Sequence, residues 1–598
     1  MPRKGPPSAT SSQALETAAL PTPARLAADT MGRAGSNDAL ARLNQAMGEL
    51  KALAVAPMLQ RAVNAIRADE PGTATEWAIK ALEQDEHNGF GWYLLAIARE
   101  RAGDFASSVA AYESALKLLP DHAEVANDLG RLAFRMGMRE QAEKLFRHFL
   151  IRHPDHPEGA NNLACAIRDQ SRLEEAVEIL KPALLKNPEV GMLWNTMGTV
   201  VAEQGDFPTA RIFFEECLRL EPGLAKARYN LGNALLNLGD PEGALEASNT
   251  AIAAVTAEDE RQMMRLARST ILIALGRLGD GWEEYEARFH PQFAEITHFL
   301  IDRPRWTPGA DLTGKSLLVV GEQGLGDEVL FANTLRDVLD RLGPDGRLTL
   351  AVEPRLVTLF QRAFPQVDVG AHATYRLGTR PARAAPFVED MAAIDLWAPI
   401  ASLLRDFRRT VDDFPVREPL LTADPDRVAY WRAQVAALPG RKVGLLWKSG
   451  ISKDARHRYF AKFADWAPVL AQAGVTFVNL QYGDCAEELA FAQRELGVEI
   501  WQPPGIDLKQ DLDDVTALCC AMDLVVGFSN ASFNLAAACG APAWLITVPG
   551  SWPRLGTRDR YPWYPQVKVF APEAYGDWGP VMSEVADALA GFAGAAEH

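Results

Sequence analysis

Residues 321–327 read GEQGLGD, after an apolar run, Ser316 to Val320, and before a helical pattern, Glu328 to Leu339. A strand, a glycine-rich turn and a helix form a site where an open α/β domain can hold anionic groups. Glycines relax such a turn and let a ligand approach the backbone. Gly324 and Gly326 are therefore candidate binding positions, and Asp327 is expected at or just inside the helix start, facing the same crevice. Glu322 and Glu328 are the other carboxylates of this stretch. A second group of residues follows the apolar run Lys442 to Trp447: Lys448, Ser449, Lys453, Arg456, His457 and Arg458. Cations at the carboxyl end of a strand can neutralise a phosphate, or form a solvated basic loop. A third group, Ser529, Asn530, Ala531 and Ser532, opens a helix after the strand Asp523 to Val526. An ordinary N-cap accounts for one of these residues and leaves polar neighbours to meet an anion. The stretch 549–565, PGSWPRLGTRDRYPWYP, could cover a ligand or pack as a surface loop.

These groups need elements to position them. Pro120, Pro154, Pro188 and Pro222 stand 34 residues apart, the tetratricopeptide period. Windows from Gly89, Ala123, Pro157, Gly191 and Ala225 align Leu95, Leu129, Leu163, Met197 and Leu231 at the seventh position. The eighth is small throughout: Ala96, Gly130, Ala164, Gly198 and Gly232. Small residues there let paired helices approach closely. Five repeats are expected, with a degenerate one or two ahead of Gly89 around Trp77 and Ala81. Asn127, Asn161, Asn162, Asn195, Asn230 and Asn233 lie on first helices, where amides could clamp a partner's backbone or be solvated.

The expected organisation is a flexible leader (1–35), the repeats (36–257), a helical cap and connection (258–310), a first α/β lobe (311–430), a second (431–576), and a C-terminal helix and tail (577–598). Gly279 and Gly281 are read as a turn within the cap, and 388–415 as helix followed by loop. Short apolar runs alternating with helical patterns imply mostly parallel sheets covered on both faces. The fold class is thus a multidomain chain, an all-α tetratricopeptide solenoid followed by two doubly wound α/β lobes.

A net charge of -17 with a pI near 5.2 disfavours nonspecific nucleic-acid binding. Six cysteines without a CxxC pair fit reduced, buried thiols. The ten histidines form no HxxxH pair, so no metal site is expected. GEQGLG has the order GxxGxG, unlike the dinucleotide fingerprint, and lacks a GK[ST] ending. No apolar run spans a bilayer and no signal peptide is recognised, so a cytoplasmic protein is expected.

Taken together, GWEEYEARF (281–289), GKSLLVVGEQGLGDEVLFANTLRDV, VGLLWKSG and the stretch DLDDVTALCCAMDLVVGFSNASFNLAAACGAPAWLI resemble the glycosyltransferase half of bacterial tetratricopeptide proteins. That half is similar to heptosyltransferases and, more distantly, to protein O-GlcNAc transferases. With the repeats, the chain most resembles the flagellin glycosyltransferases of alphaproteobacteria. The resemblance implies a GT-B fold and metal-independent, inverting transfer of a sugar to flagellin serines and threonines. It implies Asp327 as base, with Glu322 and Glu328 as runners-up, and Lys448 steadying the departing phosphate. Gly324, Gly326, Ser449, His457, Arg458 and Ser529 to Ser532 would bind the donor, and Asn127, Asn161, Asn162, Asn195 and Asn230 the acceptor. Relatives carry an Asp-Thr-Ala turn with a later His where this chain has Ser529, Asn530, Ala531 and Asn534. That departure favours a CMP-linked nonulosonic acid, such as pseudaminic acid, as donor. Two alternatives stay open: a transferase acting on surface polysaccharide, and a non-catalytic tetratricopeptide scaffold.

Overall fold

The computed structural model describes residues 33–291, 293, 296–377, 380–416, 419–449 and 459–594. Residues 1–32, most of the expected leader, lie outside them. The chain divides into two compact units, Met1–Lys186 and Asn187–His598.

The described residues of the first unit form helices and the turns between them. Helices Arg33–Arg67 and Pro71–Gln84 pack as a hairpin, ahead of the pairs Gly89–Arg101 with Phe105–Leu118, Ala123–Arg135 with Arg139–Arg152, and Pro157–Arg168 with Leu173–Lys186. The small eighth position does what its size allows. A Cβ at Gly130 would lie 2.6 Å from the Phe146 ring, so only glycine lets that ring close the pair. Glycine turns with positive φ join the helices of two pairs, Gly103 at +81° and Gly137 at +78°. Asp104 starts its helix by accepting from the Ser107 amide at 3.2 Å.

The second unit opens with two hairpins of the same kind, Gly191–Glu203 with Phe207–Leu220 and Ala225–Asn237 with Pro241–Ala254. Helices Glu258–Ala274 and Leu278–Tyr285 follow. Here the reading of Gly279 and Gly281 is corrected: both lie inside the second of these helices, and the turn is at Gly276 (φ +75°). Gly281 serves packing, because a Cβ there would sit 2.6 Å from Ile273 Cγ1.

Strands β1 (His298–Phe299), β2 (Ser316–Val320), β3 (Arg347–Val352), β4 (Asp368–Ala371), β5 (Ala373–Leu377), β6 (Arg380–Ala384) and β7 (Leu396–Pro399) come next. A parallel sheet has the order β4-β3-β2-β7, and a small mixed sheet, with β5 antiparallel to β6, has the order β1-β6-β5. The reading of 388–415 as helix and loop is thereby corrected, since β7 lies within it and pairs with β2. Strands β8 (Arg441–Leu446), β9 (Val475–Asn479), β10 (Leu524–Phe528), β11 (Ala543–Ile546) and β12 (Val567–Phe570) form a second parallel sheet, β12-β11-β10-β8-β9. Val319, Val320, Val525 and Val526 have no exposed surface, as expected of central strands covered on both faces. Helix Trp578–Gly594 ends the described chain and buries Val581, Met582, Val585 and Leu589. The architecture is an all-α tetratricopeptide-like solenoid followed by a sheet-containing α/β region. No helix of the described residues is long and apolar enough to cross a membrane.

Candidate functional site

The loop after β2 is held from beneath by buried ion pairs. Glu322 accepts two bonds from Arg288, from Nε and Nη2, each 2.9 Å, and one from the Ala401 amide at 3.0 Å. Glu328 meets His372 Nε2 and Arg383 Nη1, both at 3.0 Å, and accepts from the Glu353 amide at 2.8 Å. Gly321 leaves room for it: a Cβ there would be 2.4 Å from the Glu328 carboxyl carbon. Arg383 also donates to the Gly321 and Gln323 carbonyls. These two glutamates are thus anchors of the loop, not groups presented to a ligand. The loop turns at Gln323 (φ +62°), and Gly324 N–H donates to Asp327 Oδ2 at 3.3 Å as helix Leu325–Phe331 begins.

Beside that helix start lies another. Asn530 caps helix Ala531–Ala538, accepting from the Phe533 amide at 2.9 Å, and donates to the Lys448 carbonyl at 3.4 Å. The two starts touch: a Cβ on Gly326 would lie 3.3 Å from Ala531 Cα, and Asn534 Nδ2 donates to the Gly326 carbonyl at 3.4 Å. Asn534 is buried, and its Oδ1 has no hydrogen-bond partner among the described residues.

These starts border a cavity of about 890 Å³ within the second unit. Gly324, Gly326, Asp327, Ser449, Ser529, Asn530, Ala531 and Ser532 all line it, and so does Asn230 from the helical hairpins. Thr199, Asn233 and Asn237 join them. Thr199 and Asn237 went unnoticed in the sequence; their shared first-helix positions with Asn230 were the available signal.

Other expected groups are placed elsewhere. The Lys448 side chain is absent from the cavity lining. Its ammonium bonds the Asp484 carbonyl at 2.7 Å and the Glu488 carboxylate, which draws it away. Asn195 is also off the lining and accepts from Asn230 Nδ2 at 2.9 Å. In the first unit, Asn162 Nδ2 donates to Asn127 Oδ1 at 3.3 Å, and Asn127 and Asn161 are buried. The amides therefore spend part of their bonding capacity on each other. His457 and Arg458 lie outside the described residues. The 549–565 loop is mostly packed: Trp563 meets Trp282 and Phe414 at ring distances of 6.5 and 4.9 Å, and Trp552 meets Trp282 at 6.4 Å. Only Gly550 to Pro553 border the cavity from this loop. No group of three or more potential metal ligands occurs among the described residues.

The hairpins and sheets define a tetratricopeptide-repeat protein with an α/β region. Tetratricopeptide family models match residues 99–166, 201–265 and 161–225. Such stacks mediate contacts with other proteins. Protein FlbA of Caulobacter vibrioides is 53% identical over 567 residues, covering 95% of each chain. The chain belongs to the FlbA family. Among solved structures, MamA from Desulfovibrio magneticus RS-1 is 21% identical with a TM-score of 0.27, covering 29% of this chain and 96% of that one. A thermophilic tetratricopeptide protein of Thermus thermophilus is 22% identical with a TM-score of 0.28, covering 31% and 99%.

The expected membership among flagellin glycosyltransferases is corrected by these findings. The relative that matches over 95% of this chain carries the name Protein FlbA, with no transferase designation, and the matching family models are those of the repeats. The enzymatic reading falls with it. So do the CMP-linked donor and pseudaminic acid.

Proposed function

We propose that this chain is a non-catalytic tetratricopeptide scaffold that holds a protein partner in the cytoplasm. The observation that carries the reading is the 53% identity with Protein FlbA over 95% of each chain, together with the repeats themselves. Supporting it, Glu322, Glu328 and Lys448 are each bound to protein groups. The two parallel sheets are read as lobes of a GT-B-type architecture serving as a docking body. Partner contacts are assigned to Asn127, Asn161 and Asn162 in the first unit. In the second they are assigned to Asn195, Asn230 and the cavity wall at Gly324, Gly326, Asp327, Ser449 and Ser529 to Ser532. Free cysteines throughout the described residues agree with a reducing location.

Flagellin is the partner to test first. Full-length protein immobilised as bait should retain purified flagellin, and the flagellin recovered should have an unchanged intact mass. Asn230→Ala should weaken retention several-fold while leaving helical content intact. Absence of any complex would remove flagellin as the partner. A mass gain on flagellin incubated with the protein would overturn the non-catalytic reading itself.

A further inference from the structure

We propose that Cys520 and Cys539 form a peroxide-sensitive dithiol, a modification site that closes to an intramolecular disulfide. Cys520 lies at the end of helix Leu512–Ala521, and Cys539 is the C-cap of helix Ala531–Ala538. The Cys520 thiol donates to the Cys539 carbonyl oxygen at 4.0 Å, which places the two cysteines side by side. Two cysteines that are neighbours in space, on ends of adjoining helices, need little backbone movement to reach bonding distance. Both are half-buried, whereas the adjacent Cys519 is buried, so a small oxidant reaches the pair before the core thiol. The hydrogen bond from Cys539 holds the Cys520 thiol below the ordinary cysteine range against the opposing effect of burial. That same bond and burial push Cys539 well up. Cys520 is thus the thiolate that attacks.

The reaction balances with hydrogen peroxide as the oxidant. The Cys520 thiolate attacks one peroxide oxygen, the O–O bond breaks, and hydroxide leaves, giving a sulfenic acid. Cys539 gives up its proton and attacks the Cys520 sulfur; the S–S bond forms as the S–O bond breaks, and a second hydroxide departs. Overall, two thiols and one peroxide yield one disulfide and two waters, the sulfurs losing two electrons. The bond would pin helix Ala531–Ala538 at the end opposite Ala531 and Ser532, which line the cavity. The proposal is independent of which partner the scaffold holds.

The test uses the full chain, reduced, exposed to hydrogen peroxide, alkylated and digested without reductant. The expected result is a linked peptide pair joining Cys520 to Cys539, lighter by two hydrogens and opened by dithiothreitol, forming faster as pH rises. Cys520→Ser and Cys539→Ser should each abolish the link, and Cys519→Ser should leave it. Recovery of Cys520 and Cys539 both alkylated, separate oxidation of either to a sulfinic acid, or a link through Cys519 would overturn the proposal. The wild-type peptide map decides the matter even where a variant fails to fold.

Discussion

Arg288 and Glu322 are both buried, and each is the other's principal counter-charge. The guanidinium also rests on the Phe289 ring at 4.0 Å. Removing one partner of such a pair leaves an uncompensated buried charge, which costs more than the intact pair contributes. Glu322→Ala should therefore destabilise the protein by about 3–5 kcal/mol, read as a lower denaturant midpoint. A loss below 1 kcal/mol would show that water reaches Arg288 and that the anchor is not buried in solution. Glu286 carries a pH signature of its own. It bonds Arg288 Nη1, Arg305 Nη2 and Ser402 Oγ, each at 2.7 Å. Burial works to raise its carboxyl, but Arg288, Arg305 and the Ser402 hydroxyl outweigh it, and the group lies below the ordinary glutamate range. A depressed folded pKa means stability that is fully present above the unfolded value, about 4.3 for glutamate, and lost as pH falls through the folded value. Glu286→Gln should therefore be less stable than the wild type at pH 7. The gap should close on acidification below pH ~4, as followed by thermal melts across pH. A gap that widens toward acid would reverse the sign and refute the assignment.

At the scale of elements, the difference between glycines separates packing from propensity. Gly281 and Gly591 are both inside helices. A Cβ on Gly281 would run into Ile273, which is 1% exposed, whereas one on Gly591 would meet nothing within 4 Å. Gly281→Val should cost about 1–3 kcal/mol through overpacking, and Gly591→Ala should gain about 0.5–1 kcal/mol through backbone entropy. Equal shifts in the two melting temperatures would mean that the close helix contact is absent. The same contrast explains what could be read in advance. The hairpins were legible because their small and large positions recur every 34 residues, so Gly130 and Gly198 support one another across repeats. Strand β2 was legible as four apolar residues in a row, Leu317 to Val320, before a glycine turn. Strand β7 was not, because four residues ending in Pro399 carry too little periodicity and owe their state to pairing with β2. The candidate site was legible where neighbours in sequence share a helix start, as at Gly324 to Asp327 and Ser529 to Ser532. It was not legible for Lys448, whose fate depends on Glu488, 40 residues away. Nor was the burial of Glu322 and Glu328, which Arg288, His372 and Arg383 impose from distant elements.

At the scale of the whole molecule, the two units differ in how far their contacts reach along the chain. In Met1–Lys186 each helix packs mainly on its neighbours in sequence, as in the pairs Gly89–Arg101 with Phe105–Leu118 and Ala123–Arg135 with Arg139–Arg152. Its side-chain bonds between repeats span about one period, as with Tyr93 to Asp128 at 2.6 Å and Asn162 to Asn127. Asn187–His598 instead depends on remote partners. Trp282 Nε1 donates to the Arg408 carbonyl at 2.8 Å, and Asn333 Nδ2 to the Trp563 carbonyl at 3.3 Å. A solenoid whose stability is a sum of local terms tolerates division between repeats, whereas a region knitted by long-range contacts does not. Residues 1–186 expressed alone should therefore be helical by circular dichroism and unfold reversibly with one transition. A fragment ending at residue 449 should fail, because it cuts β8 from β9 and β10, its neighbours on both sides. Precipitation of the 1–186 fragment, or native-like unfolding of the 1–449 fragment, would show that long-range contacts are distributed otherwise than these two units require.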